Sequence, residues 1–286
     1  MNKKQALISV NLAVFLFATA APIAKGIQIP SIGITFGRVF FSSITLLLFC
    51  LITRQSIRLK KKSHLALLLS SGMVLALHWW SFLESAQIST VAISTITFST
   101  FPLFVTFLEP LVFHEKLHRE NVLVAIVVLI GVFVTIPEFT LANQMSRGIL
   151  VGMISSLAYA VLAVLNRFLS GHYQSTVVSL YEQGTAALVL APVVLTMSLR
   201  PTARELGLLL FLGIATTALA HTIFINSLKH ISAGLAGIIA SMESVYGILI
   251  ALAALGEIPS AREIIGAVII IGAVVFAQAR SQMKDA

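Results

Sequence analysis

The feature that most constrains this chain is the length of its apolar runs. Long stretches, punctuated by short polar or basic segments, occupy 6–24, 34–52, 65–86, 90–113, 121–137, 148–168, 176–199, 206–228, 233–255 and 262–279. About 20 residues of helix cross the hydrocarbon layer of a bilayer, whereas strips facing a soluble core are shorter. In lipid no water bonds the backbone, so each spanning segment must satisfy its own amides and is expected to be helical. The composition agrees: 58% of the 286 residues are hydrophobic and 10% charged, against roughly 45–50% apolar in a soluble domain. The expected fold is an all-α membrane protein of ten transmembrane helices. Ten spans use roughly 200 positions, which leaves connections and tails but no soluble domain.

The first run imitates a secretory leader, with Lys3 and Lys4 ahead of it and Ala18-Thr19-Ala20 as a small-residue site. Its counterpart in the second half argues instead for a permanent first span. One offset, 142, relates the halves: Phe82 aligns with Phe224, Ser85 with Ser227, Ile96 with Ile238, Ser99 with Ser241, Glu115 with Glu257 and Lys25 with the basic Arg167. The expected organisation is therefore two five-helix repeats, 1–142 and 143–286. Five is odd, so the second copy must enter the membrane from the opposite side. Inverted repeats around a pseudo-two-fold axis are the architecture of alternating-access transporters.

A net charge of +8 would suggest nucleic acid in a soluble chain, but here the basic residues lie between apolar runs and report orientation. With the N-terminus inside, thirteen Lys and Arg fall in cytoplasmic segments and five (Lys25, Arg147, Arg200, Arg204, Arg262) in outer ones. Both termini are expected in the cytoplasm, the chain being multi-pass in the cell inner (plasma) membrane. The second half alone is balanced, so its orientation follows from span parity. The single cysteine, Cys50, excludes an intramolecular disulfide.

Ionisable residues inside spans are expensive, roughly 2.5–3.5 kcal/mol on insertion scales, and usually face protein or a water-filled path. They are Arg38, His78, Glu84, Glu109, Glu182, His221 and Glu243. Span three reads Leu77-His78-Trp79-Trp80-Ser81-Phe82-Leu83-Glu84, in which Trp80 and Glu84 share a face at i, i+4 and set an aromatic wall beside a carboxylate. Arg38 sits where it could pair with Glu84 as a gate. His221 is the repeat counterpart of Trp79, so the halves carry unlike groups at one place. In span nine Gly234, Gly237, Ser241 and Ser244 form a small-residue packing stripe, with Glu243 near mid-depth as a candidate proton carrier. Arg38, His78, Trp79, Trp80, Glu84, Glu182, His221 and Glu243 are the expected substrate pathway, and Pro102, Gly234, Gly237, Ser241 and Ser244 the expected helix-break or packing positions. The alternative for each is a buried structural role. Gly148 and Gly152 form a GxxxG that suits packing within one bundle as readily as dimerisation. Spans five and ten, nearly free of polar side chains, are expected at the periphery.

Ten spans in two halves, a proline in the fourth span (Thr100-Phe101-Pro102-Leu103) and an acidic residue after each half's fourth span resemble the EamA branch of the drug/metabolite transporter superfamily. Those acidic residues lie in Phe113-His114-Glu115-Lys116-Leu117 and Leu255-Gly256-Glu257-Ile258-Pro259. The family's ninth span often carries Glu-Pro; here Glu243-Ser244 keeps the glutamate and departs at the proline, while Pro102 stands at the matching place in the first half. The resemblance covers the whole chain. It implies export of a metabolite or amino acid, coupled to protons, another ion or a counter-substrate, along a path lined by spans 1–4 and 6–9.

His114-Glu115-Lys116-Leu117-His118 is a literal HExxH, the pattern of zinc hydrolases. It falls in a short wet turn, its repeat counterpart keeps only the glutamate, and no Asp precedes Asp285 as a third ligand. No metal, cofactor or enzyme activity is expected, and no P-loop points to ATP. Glu115 and Glu257 have a simpler reading, favouring the N-termini of spans five and ten. The functional expectation is a secondary transporter for a small organic solute, with lipid and either protons or a counter-substrate as partners and no nucleic acid. A channel-like or receptor-like membrane protein is the alternative, and an intramembrane metalloprotease the remote one.

Overall fold

The computed structural model describes residues 3–113, 119–136, 142–227, 230 and 233–284. The described elements of regular structure are helices, with no strand among the described residues. The helices are α1 (Lys3–Ala18), α2 (Ala20–Lys25), α3 (Ser31–Ile52), α4 (Ser63–Ile88), α5 (Val91–Phe98), α6 (Phe101–Phe113), α7 (Arg119–Thr135), α8 (Gln144–Ser170), α9 (Ser175–Leu195), α10 (Ala203–Phe211), α11 (Ala220–Ser227), α12 (Ala233–Leu255) and α13 (Ala261–Lys284), with a π-helical segment, Leu212–Leu219, joining α10 to α11. Three apolar runs are thus interrupted helices: α1 with α2, α5 with α6, and α10 through the π segment to α11. Among the described residues seven columns are long and apolar enough to cross a membrane, and Val122–Thr135 and Met242–Leu255 are shorter apolar helices. Among the described residues the helical columns fall where the apolar runs do, with α8 starting earlier, at Gln144, α13 running on to Lys284, and α9 stopping at Leu195 rather than 199, where Thr196, Met197 and Leu199 turn back through bonds to Val193, Val194 and Met197 carbonyls.

Local chemistry sets the ends. Thr90 accepts from Ile93 N–H to cap α5, Asn143 accepts from Met145 N–H to cap α8, and Thr202 with Glu205 forms a capping box on α10. The break between α5 and α6 falls at Ser99 and Thr100. Pro102 then occupies the first turn of α6, where a missing N–H leaves no carbonyl unpaired. The equivalent point in the second half, Ser244, lies within the unbroken α12. Gly256, at φ +67°, supplies the left-handed residue after α12.

The helix pairing has an internal regularity. α4 packs on α8 as α1 packs on α11; α5 and α6 pack on α8 as α12 packs on α1; α3 packs on the π segment as α9 packs on α4. The pairs α3 with α9, α5 with α12 and α7 with α13 join columns five apart in order. These pairs map onto one another when the first five columns are exchanged with the last five, whereas among the described residues α4 with α5, α5 with α13 and α8 with α9 have no counterpart of like extent. Glycines permit the closest approaches: a Cβ on Gly152 would lie 2.0 Å from Thr97 Oγ1, and one on Gly266 2.2 Å from Thr135 Cγ2. Large apolar side chains such as Leu123, Ile130, Phe133, Ile264, Val268 and Phe276 remain exposed on α7 and α13, a surface suited to lipid rather than water.

Candidate functional site

Four of the ionisable residues expected inside spans, Arg38, His78, His221 and Glu243, converge. A small cavity is lined by Phe17 and Ala20 at the α1–α2 break, Arg38 of α3, His78, Trp79 and Phe82 of α4, Phe98 of α5, Tyr159 of α8, His221 of α11 and Glu243 of α12. Both halves contribute.

Arg38, 2% exposed, lays its guanidinium carbon 3.3 Å from the centre of the Trp79 ring. Its Nε donates to Thr217 Oγ1 at 3.2 Å and Nη2 to Thr216 Oγ1 at 3.4 Å. The π-helical segment makes that possible, because its wider turn narrows the angle between successive side chains and lets two neighbouring threonines address one cation. Gly213 brings this segment against the α3 backbone; a Cβ there would lie 2.6 Å from Phe41 Cβ. A desolvated guanidinium over indole is worth roughly 2 kcal/mol, so Arg38 is held as a fixed cation in the wall.

His78 Nδ1 faces both the Ser155 carbonyl (3.1 Å) and Ser155 Oγ (2.8 Å). A carbonyl only accepts, so Nδ1 carries the hydrogen and Nε2 is left as an acceptor. The ring is packed by Tyr159 and Phe98, with centroids 4.8 and 5.2 Å away. His221 Nε2 lies 2.9 Å from Glu182 Oε2, and the carboxylate is fully buried behind it. The cavity therefore offers a planar cation, a carboxyl at Glu243, two imidazoles and aromatic faces, groups able to hold a small organic molecule by its charged ends and its rings.

The structure separates residues the sequence placed together. Trp80 and Glu84 are half-buried on another face of α4 and do not line the cavity; Glu84 accepts from Ser31 Oγ at 2.5 Å and makes no gate with Arg38. Successive residues on a helix are turned by about 100°, so the stripe facing the cavity is His78, Trp79 and Phe82. Glu182 acts through His221 rather than from the lining. Ser244 packs instead of breaking its helix: its Oγ lies 2.5 Å from Ser99 Oγ and donates to the Thr95 carbonyl. The surroundings of Gly234, Gly237 and Ser241, and the whole His114–His118 motif, lie outside the described residues. Among the described residues no group of three His, Cys, Asp or Glu is placed to hold a metal ion. Phe17, Phe82, Phe98 and Tyr159 were not anticipated as lining, since aromatic residues in apolar spans carry no distinguishing sequence signal.

At the end of the bundle where α2 finishes, Lys25 Nζ pairs with Glu257 Oε1 at 2.9 Å and also donates to the Ser89 carbonyl. Glu257 Oε2 accepts from Val91 N–H, so this carboxylate serves the start of α5, not of α13 as its position in the chain suggested. Glu263 takes the α13 role, accepting from Ser260 N–H and from Thr90 Oγ1.

Comparison with known proteins agrees with this architecture. An uncharacterized transporter of Archaeoglobus fulgidus is 23% identical over 272 residues, covering 94% of each chain. An S-adenosylmethionine uptake transporter of Rickettsia bellii is 24% identical over 283 residues, covering 96% of each. A solved crystal structure shares the fold with a TM-score of 0.70 at 18% identity, covering 99% of both chains. The model of the EamA-like transporter family matches twice, over residues 4–136 and again over 146–278, and the chain belongs to that family.

Proposed function

We propose that the protein is a secondary transporter that moves a small organic solute, an amino acid or related metabolite, across the inner membrane by alternating access between two inverted five-helix repeats. One observation carries this reading: the cavity between the halves is lined by both, and its ionisable residues belong to apolar helices set in a bundle of membrane-spanning length. Helix pairs that map onto one another on exchange of the halves, and a family model that matches twice, support the repeats. The contacts at Lys25, Ser89, Thr90, Glu257 and Glu263 close one end of the bundle. Their repeat counterparts include Arg167 and Glu115, oppositely charged residues assigned by sequence to the other end, which is what two alternately closing ends require.

The substrate reading is a zwitterion with a ring or a second cationic centre. Arg38 suits a carboxylate, Glu243 an ammonium, and the Trp79, Phe98 and Tyr159 faces a ring or cation. S-adenosylmethionine, named for the Rickettsia relative, has all of these and is the first probe. The family resemblance reads as export and that relative is named for uptake; an alternating-access carrier runs either way, its direction set by the coupled gradient.

The test is counterflow in proteoliposomes with labelled S-adenosylmethionine and a panel of labelled amino acids. A carrier concentrates label against an unlabelled internal pool. Label that only equilibrates, unaffected by the internal pool, would identify a channel instead.

A further inference from the structure

Eight buried side-chain atoms of the described residues have no hydrogen-bonding partner, and they are not scattered. Five belong to α9: Ser175 Oγ, Ser179 Oγ, Glu182 Oε1 and both amide atoms of Gln183. The other three lie on α3, α8 and α11, which all pack against α9. Buried polar atoms are nearly always paired with protein or ordered water. Elsewhere in this chain buried hydroxyls solve the problem locally, as Ser71, Ser81, Thr95 and Thr97 donate to carbonyls three or four residues back. Ser179, in the same kind of helix, does not. Ser175, Ser179 and Glu182 recur at steps of four and three, so they stand above one another on a single stripe running from the first residue of α9 to its middle. At the top of the stripe Glu182 meets His221, and His221 lines the central cavity.

We infer that this stripe is a hydrated polar file that conducts protons between the end of the bundle where α9 begins and the Glu182–His221 pair, a protonation site of the carrier distinct from Glu243 in the cavity. The inference rests on the transporter reading above and names its coupling ion. The step is a proton transfer only. A proton carried by water along the Ser175 and Ser179 hydroxyls arrives at Glu182 Oε1, the oxygen without a protein donor. It converts the carboxylate to a carboxyl protonated at Oε1, while Oε2 goes on accepting from His221 Nε2–H. The same proton leaves Oε1 when the access of the carrier changes, and the pair returns to its starting charge. The charged and titratable groups facing the pair are Arg38 of α3, His78 of α4, Tyr159 of α8 and, across the cavity, Glu243 of α12. Arg38 disfavours a second cation beside it, so the added proton rests on the Glu182 carboxyl and not on the His221 ring.

The test uses the proton as its probe. The full-length protein in liposomes is studied by pH-difference infrared spectroscopy, reading the carboxyl C=O band. A component of that band should vanish in Glu182→Gln and persist in Glu243→Gln. Ser179→Ala should slow its appearance after a pH jump at least tenfold without changing its size. A Glu182→Gln spectrum identical to that of the unaltered protein, or an unchanged rate in Ser179→Ala, would overturn the inference. Should Glu182→Gln fail to fold, His221→Gln reports the same site, because the carboxyl band must shift when its partner changes. Counterflow separates the two readings. Transport with no Glu182 band removes the proton file and leaves the carrier; the band without counterflow of any probe does the reverse.

Discussion

Trp79 and His221 hold equivalent places in the two halves, and they meet inside the molecule with ring centroids 6.2 Å apart and planes at 82°. The indole offers its face to the Arg38 guanidinium, while the imidazole offers a ring nitrogen to Glu182. One position in each half has thus taken a different task, one holding a fixed cation and the other sharing a hydrogen bond with a buried carboxylate. That division explains why unlike residues occupy equivalent places.

Arg38→Lys keeps a positive charge but loses the planar face over Trp79 and the geometry that lets Nε and Nη2 reach Thr217 and Thr216 separately. With roughly 2 kcal/mol at stake in the stacking, transport of a carboxylate-bearing probe should fall about tenfold or more, with expression retained. Initial rates in proteoliposomes check this; an unchanged rate would place Arg38 in the scaffold and outside the substrate path.

The fold was legible because its strongest signal, the apolar run, is imposed by the bilayer and survives any detail of packing. The site was legible only where chemistry is conspicuous. Arg38, His78, Trp79, His221 and Glu243 stand out in apolar helices, and they line one cavity. The face of α4 was misread by one step, because the Trp80–Glu84 spacing looked more telling than the His78-Trp79-Phe82 stripe, whose phenylalanine is ordinary in a span. The π-helical segment left no readable mark either. Its effect is tertiary: Gly213 against Phe41, and two adjacent threonines turned onto Arg38.

Gly148 and Gly152 face the bundle's own interior. A Cβ on Gly148 would lie 2.3 Å from Ser89 Oγ, and one on Gly152 2.0 Å from Thr97 Oγ1 and 3.1 Å from Ser85 Oγ. Gly152→Ala should therefore destabilise by about 1–3 kcal/mol through overpacking, lowering the apparent Tm by several degrees. Light scattering should show no change of oligomeric mass. A lost dimer at unchanged Tm would mean the motif joins two copies.

Lys25 and Glu257 hold the end of the bundle beyond Ala20, a cavity-lining residue. In an Ala20→Cys background with Cys50 replaced by alanine, adding Glu257→Gln should raise labelling by an impermeant maleimide from the outer side about three- to tenfold, since one partly exposed ion pair is worth roughly a kcal/mol in the balance between open and closed ends. Equal rates with and without the ion pair would show that it does not bear on access to the cavity.

The orientation rests on thirteen inner against five outer basic residues. An alkaline-phosphatase fusion after Glu138 should be active and one after Lys62 inactive. The opposite pattern would turn the whole molecule over, and with it the side from which the α9 file opens.

Glu243 lines the cavity from the middle of α12, 6% exposed, beside a helix crossing so close that Ser244 Oγ reaches both Ser99 Oγ and the Thr95 carbonyl. An ionised carboxylate at that depth is costly without a partner. On the proposed carrier reading its partner changes through the cycle: a proton when the site is empty, and the cationic end of the solute when it is filled. Glu243→Gln keeps shape and hydrogen-bonding capacity while removing both the charge and the titration. Transport driven by a pH gradient should be lost, at least a hundredfold, and its dependence on pH should flatten. Expression should be retained, and solute-for-solute exchange should survive at reduced rate, because exchange needs the cavity to alternate while occupied but needs no net proton movement. Paired measurements of gradient-driven uptake and counterflow on the same vesicles check this. If the Gln variant keeps both the rate and the pH dependence of the unaltered protein, Glu243 is a structural carboxyl, and the solute's cation is met by the aromatic faces of Trp79, Phe98 and Tyr159 alone.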